Sequence, residues 1–471
     1  MNYQRTPLFD VLKKHQTSSP ISFHVPGHKN GTFFHEKGER FFSEILKIDL
    51  TEITNLDDLH APEGAIKEAQ SLAAHSYGVQ STYFLVNGST VGNLAMIMSC
   101  CQDGDIVLVQ RNCHKSIIHG ILLSGAIPVY LSPNVDEELL VPSYVSTETV
   151  RKAIDLYPDA KAIILTNPNY YGLSYTELNK IVEVAHRRNI PVLVDEAHGA
   201  HFPFSNLFPN SSISAGADIV VQSAHKTLPA LTMGAYLHFN SERVDESELK
   251  KYLTILQSSS PSYLIMASLD LARAYMDNLD DTVVAEGLER LTDAIDKIEG
   301  IEIVRSKDLH IDQDPLKVTV RSTNGLSGFD LQHLLERQGI FTELADPNNV
   351  LFVLPLIVNQ AYMSRLNNLK MDQLSFEKKK EVNFFSAEPS ISMGVSSKQL
   401  RNKKKCLISL EQAIGKTSAE MIVPYPPGIP LLMEGEQITK DHIHQIRHLL
   451  SLNGKIQGGD QLKNNAIYIY E

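Results

Sequence analysis

A lysine that directly follows a buried apolar strand is the most reactive-looking feature of the sequence. Lys226 ends the run DIVVQSAHK, which begins at Asp218. An unpaired lysine is costly to bury, and in a desolvated site its amine deprotonates and becomes a nucleophile able to form a Schiff base. The competing assignment is an exposed loop lysine. One strand–helix step earlier, Asp195 closes the apolar run VLVD. An acid there can pair with a ring nitrogen and keep it protonated, or it can cap a loop. Val86-Asn87-Gly88-Ser89-Thr90 runs straight into the helical stretch VGNLAMIMSC. Gly88 lets backbone approach a ligand, and the Ser89 and Thr90 hydroxyls with the free N–H groups of a helix start can hold a phosphate. The same residues also suit an ordinary helix cap. His114, in RNCHKS, can stack on an aromatic ligand or serve as a polar cap.

Ser223 and His225 flank the lysine in QSAHKT, and His198 lies in VDEAHGAH. His198 and His201 stand three apart beside two acids, but that spacing in a loop is weak for a metal and no third clear ligand follows, so no metal is expected. All of these segments fall, in order, at the carboxyl ends of predicted strands, where open α/β sheets bind ligands. A phosphate cradle, a stacking imidazole, a ring-nitrogen acid and a Schiff-base lysine together are the set that pyridoxal 5'-phosphate requires.

The elements that must position these groups alternate. Helices are predicted over 63–77, 90–101, 114–124, 146–157 and 175–189, and strands over 82–86, 105–109, 127–131, 161–166, 191–195 and 218–222. Continuous apolar runs such as AIILT, VLVDE and DIVVQ suit strands buried on both faces, and their alternation with helices predicts an α/β fold with a mostly parallel sheet. Met233–Phe239 suits a further, antiparallel strand. The first 60 residues look irregular. Long amphipathic helices are expected over 242–257 and 261–298, followed by a smaller α+β domain and a charge-rich solvated insertion, KMDQLSFEKKKEVNFF. The division is an N-terminal segment 1–55, a large cofactor-binding domain 56–298 and a small domain 299–471.

Composition bounds the rest. The 471 residues exceed one typical domain of about 100–200. With 43% hydrophobic and 21% charged residues the chain is neither disordered nor fibrous. A net charge of −12 argues against a nucleic-acid partner, which needs a basic face, and suits solubility or cationic ligands. Cys100, Cys101, Cys113 and Cys406 show no CxxC spacing and fit a reducing cytoplasm. The start of the chain has no apolar signal-peptide stretch, and no run of roughly 18 apolar residues marks a membrane span.

The motifs PGHKNG, DLTEITNLDDLHAPEGAIKEAQSLAA, FLVNGSTVGNLA, RNCHKSIIHG, TNPNYYG, VDEAHGAHF, QSAHKTLPALTMGA and AEMIVPYPPGIPLLMEGE occur in the order in which they stand in a known family. The chain resembles the pyridoxal-phosphate-dependent ornithine/lysine/arginine decarboxylases in their shorter bacterial form, without the N-terminal wing domain. The resemblance spans most of the chain. It implies the aspartate-aminotransferase-like fold (fold type I), a small α+β C-terminal domain, and decarboxylation of arginine, lysine or ornithine in polyamine-related metabolism. It also implies at least a homodimer. By the same resemblance Lys226 forms the Schiff base and Asp195 pairs with the pyridine nitrogen. His114 stacks on the ring, and Gly88, Ser89, Thr90, Ser223 and His225 hold the phosphate. His198 lies near the phenolic oxygen, and Lys226 or His225 returns a proton to Cα. Lys29 and Lys115 do not follow a buried strand after the Asp195 step. The substrate's distal cation needs an acid, for which Glu343, Asp346, Asp57 and Asp58 are candidates, each also readable as a solvated loop acid. Two residues depart from the family pattern: Glu434, where a proline is usual before the glycine, and Asn169, where threonine is common. A different fold-type-I reaction, or a non-catalytic relative, is the alternative activity.

Overall fold

A computed structural model describes residues 4–369, 390–425, 428–452 and 454–471. The stretch Lys370–Phe385, expected as a solvated insertion, lies outside the described residues.

In chain order, α1 (Pro7–Thr17), α2 (Glu36–Leu46) and α3 (Ala65–Tyr77) lead into β1 (Ser81–Leu85) and α4 (Gly88–Cys100). Next come β2 (Ile106–Gln110), α5 (Lys115–Ser124), β3 (Ile127–Leu131), the short β4 (Val135–Asp136) and β5 (Val141–Pro142), and α6 (Thr147–Leu156). The chain continues through β6 (Ala162–Thr166), β7 (Leu173–Tyr175), α7 (Leu178–His186), β8 (Val192–Asp195), β9 (Ile219–Gln222), the single turn α8 (Ala224–Thr227) and β10 (Ala235–Phe239). Helices α9 (Glu246–Leu256), α10 (Tyr263–Met276) and α11 (Asp281–Asp296) precede a region of short strands.

Two compact units are each discontinuous in sequence. The first comprises residues 1–100, 191–206 and 210–280; the second comprises 101–190, 207–209 and 281–471. In the first, the strand order is β1-β10-β9-β8. β8 and β9 run parallel, with Asp195 opposite Val221, and β10 is antiparallel to both β9 and β1. Val192, Leu193 and Val194 of β8 and Ile219, Val220 and Val221 of β9 are all buried, as expected for strands covered on both faces. In the second unit, β6-β2-β3 is parallel and Ile391–Met393 adds an antiparallel edge to β3. The C-terminal part of this unit is α+β. Ile301–Val304, Lys317–Ser322, Asn349–Val353 and Leu344–Ala345 form one antiparallel sheet, and Lys405–Ser409, Ala466–Tyr470 and Thr417–Ser418 form another.

Three local expectations change. The first 60 residues carry two helices. Pro7 starts α1, where its missing N–H costs nothing, and Leu8 and Leu12 are fully buried. The Leu8 N–H donates to the Asp270 carboxylate (3.0 Å), whose other oxygen pairs with the buried Arg273 (3.0 Å). Long-range packing, invisible in the local pattern, thus orders this end. The helix expected over 261–298 breaks between Met276 and Asp281. Asp277 there accepts from Arg273 (3.0 Å) and Ser76 (2.9 Å), so its side chain serves tertiary contacts. The helix expected to begin at Tyr175 begins at Leu178, because Leu173–Tyr175 pairs as a strand with Ile311–Gln313.

Candidate active site

The first unit collects most of the predicted site residues at the carboxyl ends of β8 and β9 and at the β1–α4 junction. Asp195 is 3% exposed. Its carboxylate accepts from the Asn93 amide of α4 (2.9 Å) and from the Ala197 N–H (3.2 Å). Burial raises its pKa, while the positive charge of Lys226 and the Asn93 hydrogen bond pull it back down;. Lys226, in α8 just past the end of β9, has its Nζ 2.9 Å from His198 Nε2. His198 is buried, three residues after Asp195. The His225 ring Nδ1 lies 3.1 Å from the Gly234 carbonyl oxygen.

At the β1–α4 junction Gly88 has φ of +75°, and nothing stands within 4 Å of where a Cβ would be. The left-handed backbone favours glycine and leaves open space beside the start of α4. The Ser223 hydroxyl donates to the Ser89 hydroxyl (2.8 Å), which joins the β9 end to that junction. Thr90 is exposed one residue further on. The Thr227 hydroxyl, adjacent in the chain to Lys226, is buried with no hydrogen-bond partner among the described residues. A buried carboxylate, a lysine amine beside a histidine, a hydroxyl pair, an open helix start and an unused hydroxyl make a donor and acceptor set that fits pyridoxal 5'-phosphate.

The remaining predicted residues have these surroundings within their own units. His114 is in the second unit and caps α5: its Nδ1 accepts from the Ser116 N–H (3.2 Å). A Cβ at Gly428, whose φ is +93°, would come 3.3 Å from the His114 ring, so the backbone after the second proline of YPPG runs close along the imidazole. Glu343 and Asp346 are also in the second unit. Glu343 is exposed. The Asp346 carboxylate accepts from the Tyr171 hydroxyl, the Asn348 N–H (2.6 Å), the Asn349 N–H (2.7 Å) and the Asn349 side chain (2.9 Å). Asp57 accepts from the N–H groups of Glu63, Gly64, Ile66 and Lys67 and so secures the start of α3, while Asp58 is exposed. Lys29 donates to the His24 carbonyl (2.5 Å) and Lys115 to Gln457 (2.7 Å). His201 is buried, its ring inclined at 67° to that of Phe202 with 4.8 Å between centroids. Among the described residues no group of three or more His, Cys, Asp or Glu is placed to hold a metal ion.

Both departures from the family pattern have local partners. Asn169 accepts from the Tyr171 and Leu173 N–H groups (3.0 and 2.9 Å) and donates to the Pro142 carbonyl (2.8 Å). Glu434 accepts from Lys405 (3.0 Å) and from the Tyr470 hydroxyl. Sequence reasoning missed Asn93, Gln222 and Glu196. The available signal was a polar residue interrupting an apolar run, as Asn93 does in VGNLAMIM.

Comparison with known proteins places this geometry. The family description "Orn/Lys/Arg decarboxylase, major domain" matches residues 6–311, and "Orn/Lys/Arg decarboxylase, C-terminal domain" matches residues 378–457. An arginine decarboxylase of Bacillus subtilis is 36% identical over 97% of this chain and 96% of its own length. A second Bacillus subtilis protein, of uncharacterized function, is 48% identical over 99% of this chain and 98% of its own. The solved constitutive lysine decarboxylase of Escherichia coli superposes with a TM-score of 0.81 at 21% identity, covering 99% of this chain and 82% of that one. The chain belongs to the Orn/Lys/Arg decarboxylase family. It has the aspartate-aminotransferase-like fold (fold type I) and is an enzyme of the pyridoxal-phosphate-dependent amino-acid decarboxylase class. Among the described residues no helix is long and apolar enough to cross a membrane.

Proposed function

We propose that this enzyme removes carbon dioxide from a basic amino acid (arginine, lysine or ornithine) and releases the corresponding amine, using pyridoxal 5'-phosphate held by Lys226. The observation that carries the proposal is the pair of adjacent parallel strand ends, one closing on the buried Asp195 and the other leading into Lys226 with its Nζ 2.9 Å from His198. The family and the 36% identical arginine decarboxylase support the substrate class.

When bound, the cofactor supplies an electron sink for the pair of electrons left behind by departing carbon dioxide. The side chains do the rest. Lys226 would be the covalent anchor, and Gly88, Ser89, Thr90, Ser223 and His225 would hold the phosphate. Asp195 would pair with the ring nitrogen and favour its protonated form, an electrostatic contribution from a buried carboxylate. Asn93 and the Ala197 N–H hold that carboxylate in one orientation. His198 lies beside the Lys226 amine and would lie toward the phenolic oxygen, and His114 would stack on the ring as the family resemblance implies. Lys226 or His225 would supply the proton to Cα. Asp346 has its acceptor sites engaged by its own turn and by the Tyr171 hydroxyl, so of the two C-terminal candidates Glu343 is the freer acid for the distal cation. We assign the chain to the cytoplasm, to polyamine-related metabolism and to a homodimer or larger homo-oligomer. We divide it by function at residues 55 and 298.

The deciding experiment incubates the purified protein and pyridoxal 5'-phosphate with each of the three amino acids and measures carbon dioxide, amine and keto acid. Stoichiometric carbon dioxide and amine from one of them, abolished in Lys226→Ala, is the expected result. Keto acid without carbon dioxide would assign a transaminase instead, and no turnover of any of the three would overturn the substrate class.

A further inference from the structure

Behind the candidate site lies a second buried carboxylate that the reaction scheme does not use. Glu196 follows Asp195 directly, and successive residues at a strand end point to opposite faces. Asp195 therefore faces Asn93 of α4, while Glu196, fully buried, faces the other way. It accepts hydrogen bonds from the Ser211 hydroxyl (2.6 Å), the Ser212 N–H (2.5 Å) and the Gln222 side-chain amide (2.7 Å). Gln222 is the last residue of β9, four before Lys226. Its carbonyl oxygen accepts from His238 Nε2 on β10 (3.1 Å), and the other ring nitrogen of His238 accepts from the Thr82 hydroxyl on β1 (2.9 Å). Each donor and acceptor in this chain follows from the one before, with His238 neutral because burial lowers its pKa to about 3. The polar chain crosses all four strands of the first unit and ends on the residue after Asp195.

The backbone reinforces the tie. The Glu196 N–H donates to the Val221 carbonyl of β9 (2.9 Å), and the Gly199 N–H returns to the Glu196 carbonyl (3.0 Å), closing the turn that contains His198. A Cβ at Gly199 would stand 2.8 Å from Glu196 Cγ, so the Glu196 stem is packed under that turn. A buried carboxylate is retained at a cost unless its lone pairs are satisfied, and here they are satisfied by groups on β9 and on the 211–212 loop.

We propose that Glu196 is a positioning residue: its buried carboxylate ties the β8 end, which carries Asp195 and leads to His198, to the β9 end, which leads to Lys226. The tie fixes the acid, the histidine and the lysine relative to one another. This inference rests on the assignment of Lys226 and Asp195 under Proposed function. Placement errors of about 1 Å cost on the order of a hundredfold in rate, so a tie of this kind is read in kcat and in the environment of the bound cofactor.

The test compares the wild-type holoenzyme with Glu196→Gln and Gln222→Leu. The readouts are kcat and KM separately, the pH midpoint of the visible cofactor absorbance without substrate, and the melting temperature of each protein without cofactor. Gln keeps the length and one acceptor but turns an N–H toward a donor. Leu removes the β9 side of the tie and leaves Glu196 in place. The expected result for both variants is a folded protein with KM within about twofold of wild type, kcat lowered at least tenfold, and an absorbance midpoint displaced in the same direction. Folded variants with unchanged kcat and midpoint would overturn the proposal, as would a kcat loss with no displacement of the midpoint. If Glu196→Gln does not fold, Gln222→Leu decides by the same criteria, and failure of both to fold would assign a structural role and overturn it. A wild-type protein with no visible band would overturn the Lys226 assignment itself, which distinguishes that failure from one of Glu196 alone.

Discussion

Asp195 and Glu196 are neighbours in sequence and opposites in environment, and each carries a different measurable consequence. Asp195 is held by two donors and feels the Lys226 charge, so its role depends on a negative charge at one place. Asp195→Asn keeps the shape and removes the charge. Its kcat is expected to fall by roughly 10²–10³, the usual loss for one preorganised electrostatic group, with the fold intact by circular dichroism; steady-state kinetics at saturating cofactor checks this. Glu196 is different because burial pushes its pKa up to about 7 despite the hydrogen bonds from Ser211, Ser212 and Gln222 that pull it down. A carboxyl whose folded pKa is raised binds its proton more tightly in the folded state. Its contribution to stability is therefore complete below the ordinary glutamate range and is lost as pH rises toward about 7. Glutamine does not titrate. The stability of Glu196→Gln relative to wild type is thus expected to improve by about 2 kcal/mol between about pH 5 and about pH 8, as measured by denaturant unfolding across that range. A pH-independent difference would contradict the buried, proton-binding environment.

At the scale of elements, the turn that follows β6 has its own internal logic. Asn169 takes two backbone N–H groups and donates to the Pro142 carbonyl, all in a buried setting. Asn169→Ala leaves these groups without their partner, at about 1–3 kcal/mol for each buried polar group so stranded. The expected outcome is a loss of at least about 3 kcal/mol in denaturant unfolding with KM changed by less than about twofold. A large KM change with no loss of stability would instead place Asn169 at the substrate. The same turn shows what the sequence makes legible and what it hides. Strands with continuous apolar runs, such as AIILT and VLVDE, are found within a residue or so of where their pattern places them, because burial on both faces leaves a strong local signature. The strand ends then locate Asp195 and Lys226 without any structure. The helix α1 and the break after Met276 depend instead on Asp270 and Asp277, each paired with nearby Arg273 but also bonded to Leu8 and Ser76 far away in the chain. The Glu196 chain is equally non-local, since Thr82, His238, Gln222 and Ser211 share no sequence motif.

At the scale of the whole molecule, the net charge of −12 acts on any charged ligand before it reaches the site. An arginine, lysine or ornithine substrate carries a net positive charge at neutral pH, so an acidic protein raises its local concentration and speeds encounter. That attraction is screened over about 10 Å at 0.1 M salt and about 3 Å at 1 M. The catalytic groups are affected less, because Asp195 is buried and Lys226 lies beside His198 rather than in open solvent. Raising the salt concentration from about 0.05 M to about 0.5 M is therefore expected to lower kcat/KM for the basic amino acid several-fold while leaving kcat within about twofold. Steady-state rates over a salt series, with the cofactor kept saturating, measure both quantities. If kcat/KM stays flat across the series, the acidic surface has no part in gathering the substrate, and the charge is accounted for by solubility alone.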